Sequence, residues 1–314
     1  MRFFSAEDVK KALPMRAAVE AVKNAFIQLS DGEAVVPGRI HMDIPEHGLT
    51  ALVMPSYLPK IQRLGLKLIS LCRKNPAKGL PFAQAVVLVM DAVNGTPLAV
   101  MDGAAVTAIR TGAASGAATN VLARGEARVA AVFGAGIQGR AQLEAVCAVR
   151  PIKKAYVFEP DEQRAELYAR EMSHKVSIEV KVSVSAADLR EADIVCTATT
   201  SSEPVFSDGD LKSGVHINAV GSYKPEVREI PPETVCRAKV IVDHRESSLA
   251  EAGDLIIPLR QGLITESHIC AELGEVLSGK IPGRTSDDEI TLFKSVGNAV
   301  QDLAAACLVL QNAG

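Results

Sequence analysis

The sequence predicts an α/β fold in which a doubly wound parallel sheet is inserted between two pieces of a second, α+β domain. Three observations carry this expectation. From Gly125 onward, near-continuous apolar runs (RVAAVFG, KKAYVFE, DIVCTAT, VHINAVG, KVIVDH) alternate with helical or turn segments, the pattern of a parallel sheet covered on both faces. From Val35 to Asp102, short β-branched runs between turns (ALVMP, LGLKLISL, QAVVLVMD, PLAVMD) read as an antiparallel sheet. After the polar segment KIPGRTSDDEI, the last stretch LFKSVGNAVQDLAAACLVL reads as one amphipathic helix with no strand of its own to pack on, which returns the chain end to the first domain. The expected domains are therefore 1–116 plus 293–314, and 117–292.

The remaining elements follow in order. Ala18, Val19, Ala21, Val22, Ala25, Phe26 and Leu29 lie at helical spacing between Pro14 and the Asp31-Gly32 stop, so residues 15–30 form a packed helix. Asp102 is placed to cap a long Ala-rich helix, VTAIRTGAASGAATNVLA, which connects the two domains. A chain of 314 residues is long enough for two domains, each with a core of ordinary size.

A net charge of −3 and the lack of a basic amphipathic face leave nucleic acid and membrane surfaces without an electrostatic footprint, so a small molecule is the expected partner. The start, MRFFSAEDVKKAL, has no apolar core of a secretory signal, and the most apolar stretch is interrupted by Asp91 and Asn94-Gly95, short of the ~20 residues that span a bilayer. A cytoplasmic protein is expected. The six cysteines carry no C-x-x-C pair and read as reduced, buried thiols; the six histidines lack metal-ligand spacing, and no metal is expected. GAASG at 112–116 lacks the setting of a hydrolase nucleophile.

GAGIQG at 134–139 follows the strand RVAAVF and opens a helix. That placement, rather than the glycines alone, marks a phosphate-binding turn of a Rossmann-type domain. Gly134 makes the tight turn, Gly136 admits the pyrophosphate, and Gly139 lets the helix lie on the sheet; the helix amino terminus, from Ile137 and Gln138, faces the phosphates. Glu159 ends the second strand, where a carboxylate binds the adenosine ribose hydroxyls and repels a 2′-phosphate. Pro160, Asp161 and Glu162 follow it, so NAD(H) is expected to be preferred, with NADP(H) as the second choice; Glu159 also reads as a merely solvated strand-end acid.

Arg39 and Lys67 sit among apolar β residues and Arg110 in an Ala-rich helix, where an unpaired cation is costly, so something anionic should meet them. Arg suits a planar carboxylate through its fork, and Lys is a point charge able to lose its proton when desolvated. Taken singly, each reads equally as an exposed or structurally paired cation.

Several blocks together resemble the ornithine cyclodeaminase and mu-crystallin family: VMP at 53–55, LGLKLISL, TAIRTGAASGAA, GAGIQG, HINAVGSYKPEVRE and LFKSVGNAVQDLAAA. The resemblance covers nearly the whole chain. It implies a homodimer whose first domain binds substrate and dimerises, with an amino-acid-like or cyclic imino-acid carboxylate held by Arg39, Lys67 and Arg110 beside Met54. It also implies that Thr111, Thr197, Ala198, Thr199, Val220, Gly221, Ser295 and Gly297 line the dinucleotide. Cyclodeaminases of the family, and its alanine dehydrogenase branch, carry an Asp two residues after the glycine of the A-V-G block, whereas here Gly221 is followed by Ser222 and Tyr223. A Tyr of ordinary pKa near ~10 is no carboxylate base at neutral pH. The resemblance therefore favours an NAD(P)H-dependent reductase of a C=N bond next to a carboxylate, or an amino-acid dehydrogenase in reverse, with Lys67 as proton donor. Ornithine cyclodeamination and non-catalytic ligand binding are the alternatives.

Overall fold

The computed structural model describes residues 1–313, and the chain divides into two compact units, Met1–Arg110 with the segment from Asn298, and Thr111–Gly297. The first unit opens with strand β1 (Arg2–Phe4) and helix α1 (Ala6–Ala12). Ser5 and Asp8 start α1 reciprocally: Asp8 N donates to Ser5 Oγ at 3.2 Å, and Ser5 N donates to Asp8 Oδ2 at 2.9 Å. Helix α2 (Met15–Ser30) buries Ala18, Val19, Val22, Ala25 and Phe26, the stripe its spacing predicts.

Strands β2 (Ile40–Ile44), β3 (Leu49–Leu58), β4 (Arg63–Cys72), β5 (Ala83–Asp91) and β6 (Pro97–Asp102) complete a six-stranded sheet in the order β1-β6-β5-β4-β3-β2. All neighbours are antiparallel except β1 and β6. Sequence patterning does not reveal β1, which is too short to show a period; Ile40, Met42 and Ile44 of β2 do alternate with His41 and Asp43 as a strand requires, although most of it is exposed. In β4, Gly65, Lys67 and Ile69 alternate as buried residues with the exposed Leu64 and Leu68, so Lys67 is carried on the covered face by the period of two. Helix α3 (Gly103–Leu122) begins where Ala105 N donates to Asp102 Oδ1 at 2.7 Å, and the division between the units falls within it.

In the second unit, strands β7 (Val129–Phe133), β8 (Lys154–Phe158), β9 (Glu179–Val182), β10 (Ile194–Thr197), β11 (His216–Ala219), β12 (Lys239–Val242), β13 (Ile269–Glu272) and β14 (Thr291–Lys294) form one parallel sheet. Its order is β13-β12-β14-β11-β10-β7-β8-β9, so the chain winds outward from β7 to β9 on one side and from β10 to β13 on the other, and β14 then returns between β11 and β12. Alternate residues of β7 enter separate apolar clusters: Ala130 and Val132 in one, Ala131 and Phe133 in the other. Helices α4 (Ile137–Val149) and α5 (Glu162–Val176) supply Leu143, Val146, Tyr168 and Met172 to the first cluster. Gly112 of α3 lies against α4, and a Cβ there would stand 2.5 Å from Ala141 O.

The expectation of one helix from Leu292 needs correction. Thr291–Lys294 is β14, inside the parallel sheet between β11 and β12, and the terminal helix begins only at Ala299. An apolar run of four residues fits a buried strand as well as a helix turn, and only its pairing decides. Gly297, with φ of +84°, turns the chain between the two. The terminal helix, Ala299–Asn312, packs on β3 and β4: Ser56 Oγ donates to Ala299 O at 3.1 Å, and a Cβ on Gly65 would meet Leu303 Cδ1 at 2.8 Å. Cys236 and Cys270 are exposed, against the expectation that the thiols are buried; Cys72, Cys196 and Cys307 do lie in the interior. Among the described residues no helix is long and apolar enough to cross a membrane.

Candidate active site

On the covered face of the first sheet, Lys67 Nζ lies 2.7 Å from Asp302 Oδ2, and Arg110 Nε donates to Asp302 Oδ1 at 2.9 Å. All three side chains are buried. Arg110 Nη1 donates to Gln301 Oε1, which leaves Gln301 Nε2 as a buried donor with no partner among the described residues. Two cations thus share the Asp302 carboxylate, and the cluster keeps a net positive charge. Burial is the main cause that pushes the Lys67 ammonium down to about 8; Arg110 and, more weakly, Arg39 act in the same direction, and Asp302 opposes them. Met54 is buried directly opposite Lys67 in the β3–β4 register.

The structure brings Lys67, Arg110 and Met54 together and places Arg39 close enough for its charge to reach Lys67. Arg39 nevertheless corrects the sequence reading. It sits half-buried in the coil before β2 rather than among buried β residues. Asp302 and Gln301 were missed. The signal was present, since a lone Asp in the apolar helix AVQDLAAACLVL requires a cation as much as Lys67 requires an anion.

The second unit holds a cavity of about 650 Å³ whose lining includes Gly134, Gly136, Glu159, Arg164, Val184 and Thr199, with Ala198 beside them. Gly134 and Gly139 behave as their spacing predicts. Gly134 has φ of +98°, and a Cβ there would press on Ala198 O at 2.7 Å; on Gly139 it would stand 2.0 Å from Gly134 O. At Gly136, which precedes the thirteen-residue α4, a Cβ would meet nothing within 4 Å, so this side of the turn is open. Exposed Ile137 and half-buried Gln138 form the first turn of α4. Glu159 Oε2 accepts Ala135 N at 2.9 Å and lies 3.4 Å from Arg164 Nη2. An open glycine turn at a helix amino terminus, with a carboxylate at the end of the next strand, fits the phosphates and ribose of a dinucleotide. Val184 lies in a loop, which carries no period, and Arg164 in the first turn of α5, where nothing in its spacing marks it as turned toward Glu159.

The other residues expected here direct their polar groups inward. Thr197 Oγ1 donates to Glu229 Oε2 at 3.0 Å, Gly221 N to the same oxygen at 2.8 Å, and Thr199 N to Glu229 Oε1 at 2.6 Å. Val220 N donates to Thr197 O at 3.0 Å. Ser295 Oγ and Gly297 N donate to Asp243 Oδ2 at 2.7 and 2.8 Å. Thr111 O accepts Gln142 Nε2 at 3.4 Å. His216 is a core residue pushed down to about 3 by burial, between Thr291 and Asn218. No cluster of His, Cys, Asp and Glu fit to hold a metal occurs among the described residues.

Fold and site together define a dinucleotide-binding α/β protein with a separate, buried cation cluster. The chain belongs to the ornithine cyclodeaminase/mu-crystallin family, which it matches over residues 2–314. It is 39% identical over 315 residues to Delta(1)-pyrroline-2-carboxylate reductase of Bacillus cereus, covering 100% of this chain and 97% of that protein. Among solved structures it is similar to Thermococcus litoralis Delta(1)-pyrroline-2-carboxylate reductase in complex with NADH and L-proline, at TM-score 0.96 and 44% identity, covering 100% of this chain and 97% of that one. It is also similar to an archaeal alanine dehydrogenase dimer with bound NAD, at TM-score 0.93 and 33% identity, covering 100% and 96%.

Proposed function

We propose that this protein is an NAD(H)-dependent reductase of a C=N bond adjacent to a carboxylate, with a cyclic imino acid of the pyrroline-2-carboxylate type as substrate. The observation that carries this reading is the Lys67–Asp302–Arg110 cluster: two buried cations on one carboxylate, with a net positive charge and an ammonium pushed down to about 8. Its excess charge, and the unpartnered Gln301 Nε2, suit a substrate carboxylate. Arg110 supplies a planar fork, Arg39 adds charge from the coil, and Lys67 donates the proton to the substrate nitrogen. The bound nicotinamide supplies the hydride that goes to the imine carbon. Hydride and proton together convert C=N to CH–NH, so one dinucleotide is oxidised for each amine formed. Holding the carboxylate orients the carbon for this transfer. Tyr223, where cyclodeaminases of the family carry Asp, favours reduction over cyclodeamination.

Glu159 favours NAD(H), because its half-buried carboxylate repels a 2′-phosphate; Arg164 beside it makes NADP(H) the weaker alternative rather than an excluded one. The test is an absorbance assay with purified protein and pyrroline-2-carboxylate. Net loss of NADH, with a higher kcat/KM than for NADPH, is the expected result. Ammonia and proline from ornithine at constant NADH would replace this reading with the lyase, no response to either substrate would favour a ligand binder, and a tenfold preference for NADPH would overturn the role of Glu159.

The same reading includes a homodimer in the cytosol. One face of the first sheet exposes Ile40, Leu68 and Val86, which share a register row with Val53 across β2 to β5, and Leu64 lies on the same side. An apolar sheet face of this kind calls for a cover, and the archaeal relative is a dimer. Leu68→Glu is expected to change the molar mass by light scattering from dimer to monomer. A variant that remains dimeric would place the interface elsewhere. The buried thiols Cys72, Cys196 and Cys307 fit a reducing compartment.

A further inference from the structure

Glu229 is fully buried in the second unit, and the family blocks gave it no role. Its carboxylate accepts four donors from two separate segments: Thr197 Oγ1 and Thr199 N at the end of β10, and Gly221 N and Ser222 N (3.2 Å) after β11. These are adjacent strands of the parallel sheet, and their carboxyl ends border the crevice in which folds of this kind bind ligands. The approach is tight. A Cβ on Gly221 would stand 2.4 Å from Glu229 Oε2, so the glycine is there to let the carboxylate reach both segments.

The carboxylate is itself held from behind. Glu229 N and Ile230 N donate to Asp254 Oδ1 at 2.7 and 3.0 Å. Asp254 Oδ2 pairs with Lys294 Nζ at 2.7 Å, and Lys294, at the end of β14, also donates to Ser222 O. One buried charged network therefore ties together the ends of β10, β11 and β14. Burial and the Asp254 charge push Glu229 above the usual carboxylate range, opposed by Lys294 and the Thr199 bonds. A group kept under this electrostatic load is retained because the four donors need an acceptor. The segment it holds is functional as well as structural, since Ala198 and Thr199 line the cavity and Ala198 O abuts the Gly134 turn.

We infer that Glu229 is a positioning residue for the dinucleotide: by accepting N–H groups from the ends of both β10 and β11, it sets the wall of the cavity against the glycine turn. This rests on the reading that the cavity takes NAD(H). Glu229→Gln keeps the shape but gives one of the two segments an amide NH2 where it needs an acceptor. The NADH dissociation constant, by fluorescence titration, is expected to rise by roughly 10–100-fold, while the KM for the imino acid at saturating NADH stays within about twofold, since additivity holds for independent sites. Gly221→Ala, which displaces the carboxylate without removing it, is expected to give the same split. The losses in the double variant should be well short of additive, because both act through one contact. Wild-type NADH affinity in Glu229→Gln, or in a folded Gly221→Ala should the first variant not fold, would overturn the inference. So would equal losses in the binding of NADH and imino acid. If the unaltered protein binds no NADH, the dinucleotide reading itself fails, a result that the variants cannot mimic.

Discussion

Lys67→Met is expected to lower kcat by a factor on the order of 10²–10⁴, the usual contribution of a positioned proton donor, while NADH affinity stays at the wild-type level. Methionine replaces a long side chain buried between the covered face of β4 and the terminal helix by one of similar length, and Asp302 keeps Arg110 as its partner, so the fold survives the substitution. The pH dependence of the unaltered enzyme gives the companion measurement. A proton donor works only when protonated, and the free amine takes over as the pH passes about 8, so the rate of reduction should fall on the alkaline side of that value. The variant should show no such limb in its residual activity. Retained turnover in Lys67→Met, or a rate independent of pH between 7 and about 9.5 in the unaltered enzyme, would remove Lys67 from the mechanism.

Asp302→Asn is expected to damage both stability and activity. It leaves Lys67 and Arg110 buried side by side without their shared anion, and breaking a buried pair in this way costs about 3–5 kcal/mol. A lower midpoint in denaturant at unchanged m-value is the readout. Activity should change in a particular direction as well. Asp302 raises the Lys67 pKa against burial and Arg110, so its loss moves the alkaline limb to lower pH. A destabilised protein whose limb stays near 8 would mean that Asp302 serves packing alone. An unshifted midpoint would mean that the cations have other partners.

Much of the second unit was legible because its signals are local. Strands β7, β8, β10, β11 and β12 are near-continuous apolar runs, and Gly134 and Gly139 of the 134–139 turn meet the demands their positions make on backbone shape and approach. Strand β14 was not legible, since its short apolar run runs straight into a helical pattern and only pairing with β11 and β12 makes it a strand. Strands β9 and β13, of four residues each, are likewise defined by their neighbours rather than by any period. In the first unit, the period of two in β4 would by itself turn Leu64, Leu66 and Leu68 inward and Lys67 outward, and only the packing of the terminal helix on this sheet makes the Lys67 face the covered one.

By itself, the sequence determined the fold class and the dinucleotide turn, because these follow from residue type and spacing along a few consecutive turns or strands; a need of Lys67 and Arg110 for an anion was one of two readings it left open, beside exposure. Only the tertiary structure decided how that need is met. Asp302 comes from the last helix, 192 residues beyond Arg110, and serves two cations at once. Glu229 likewise collects donors from the ends of two strands. Buried charges must be paired through space, and the residues that satisfy them share no periodicity by which the pairing could be read in advance.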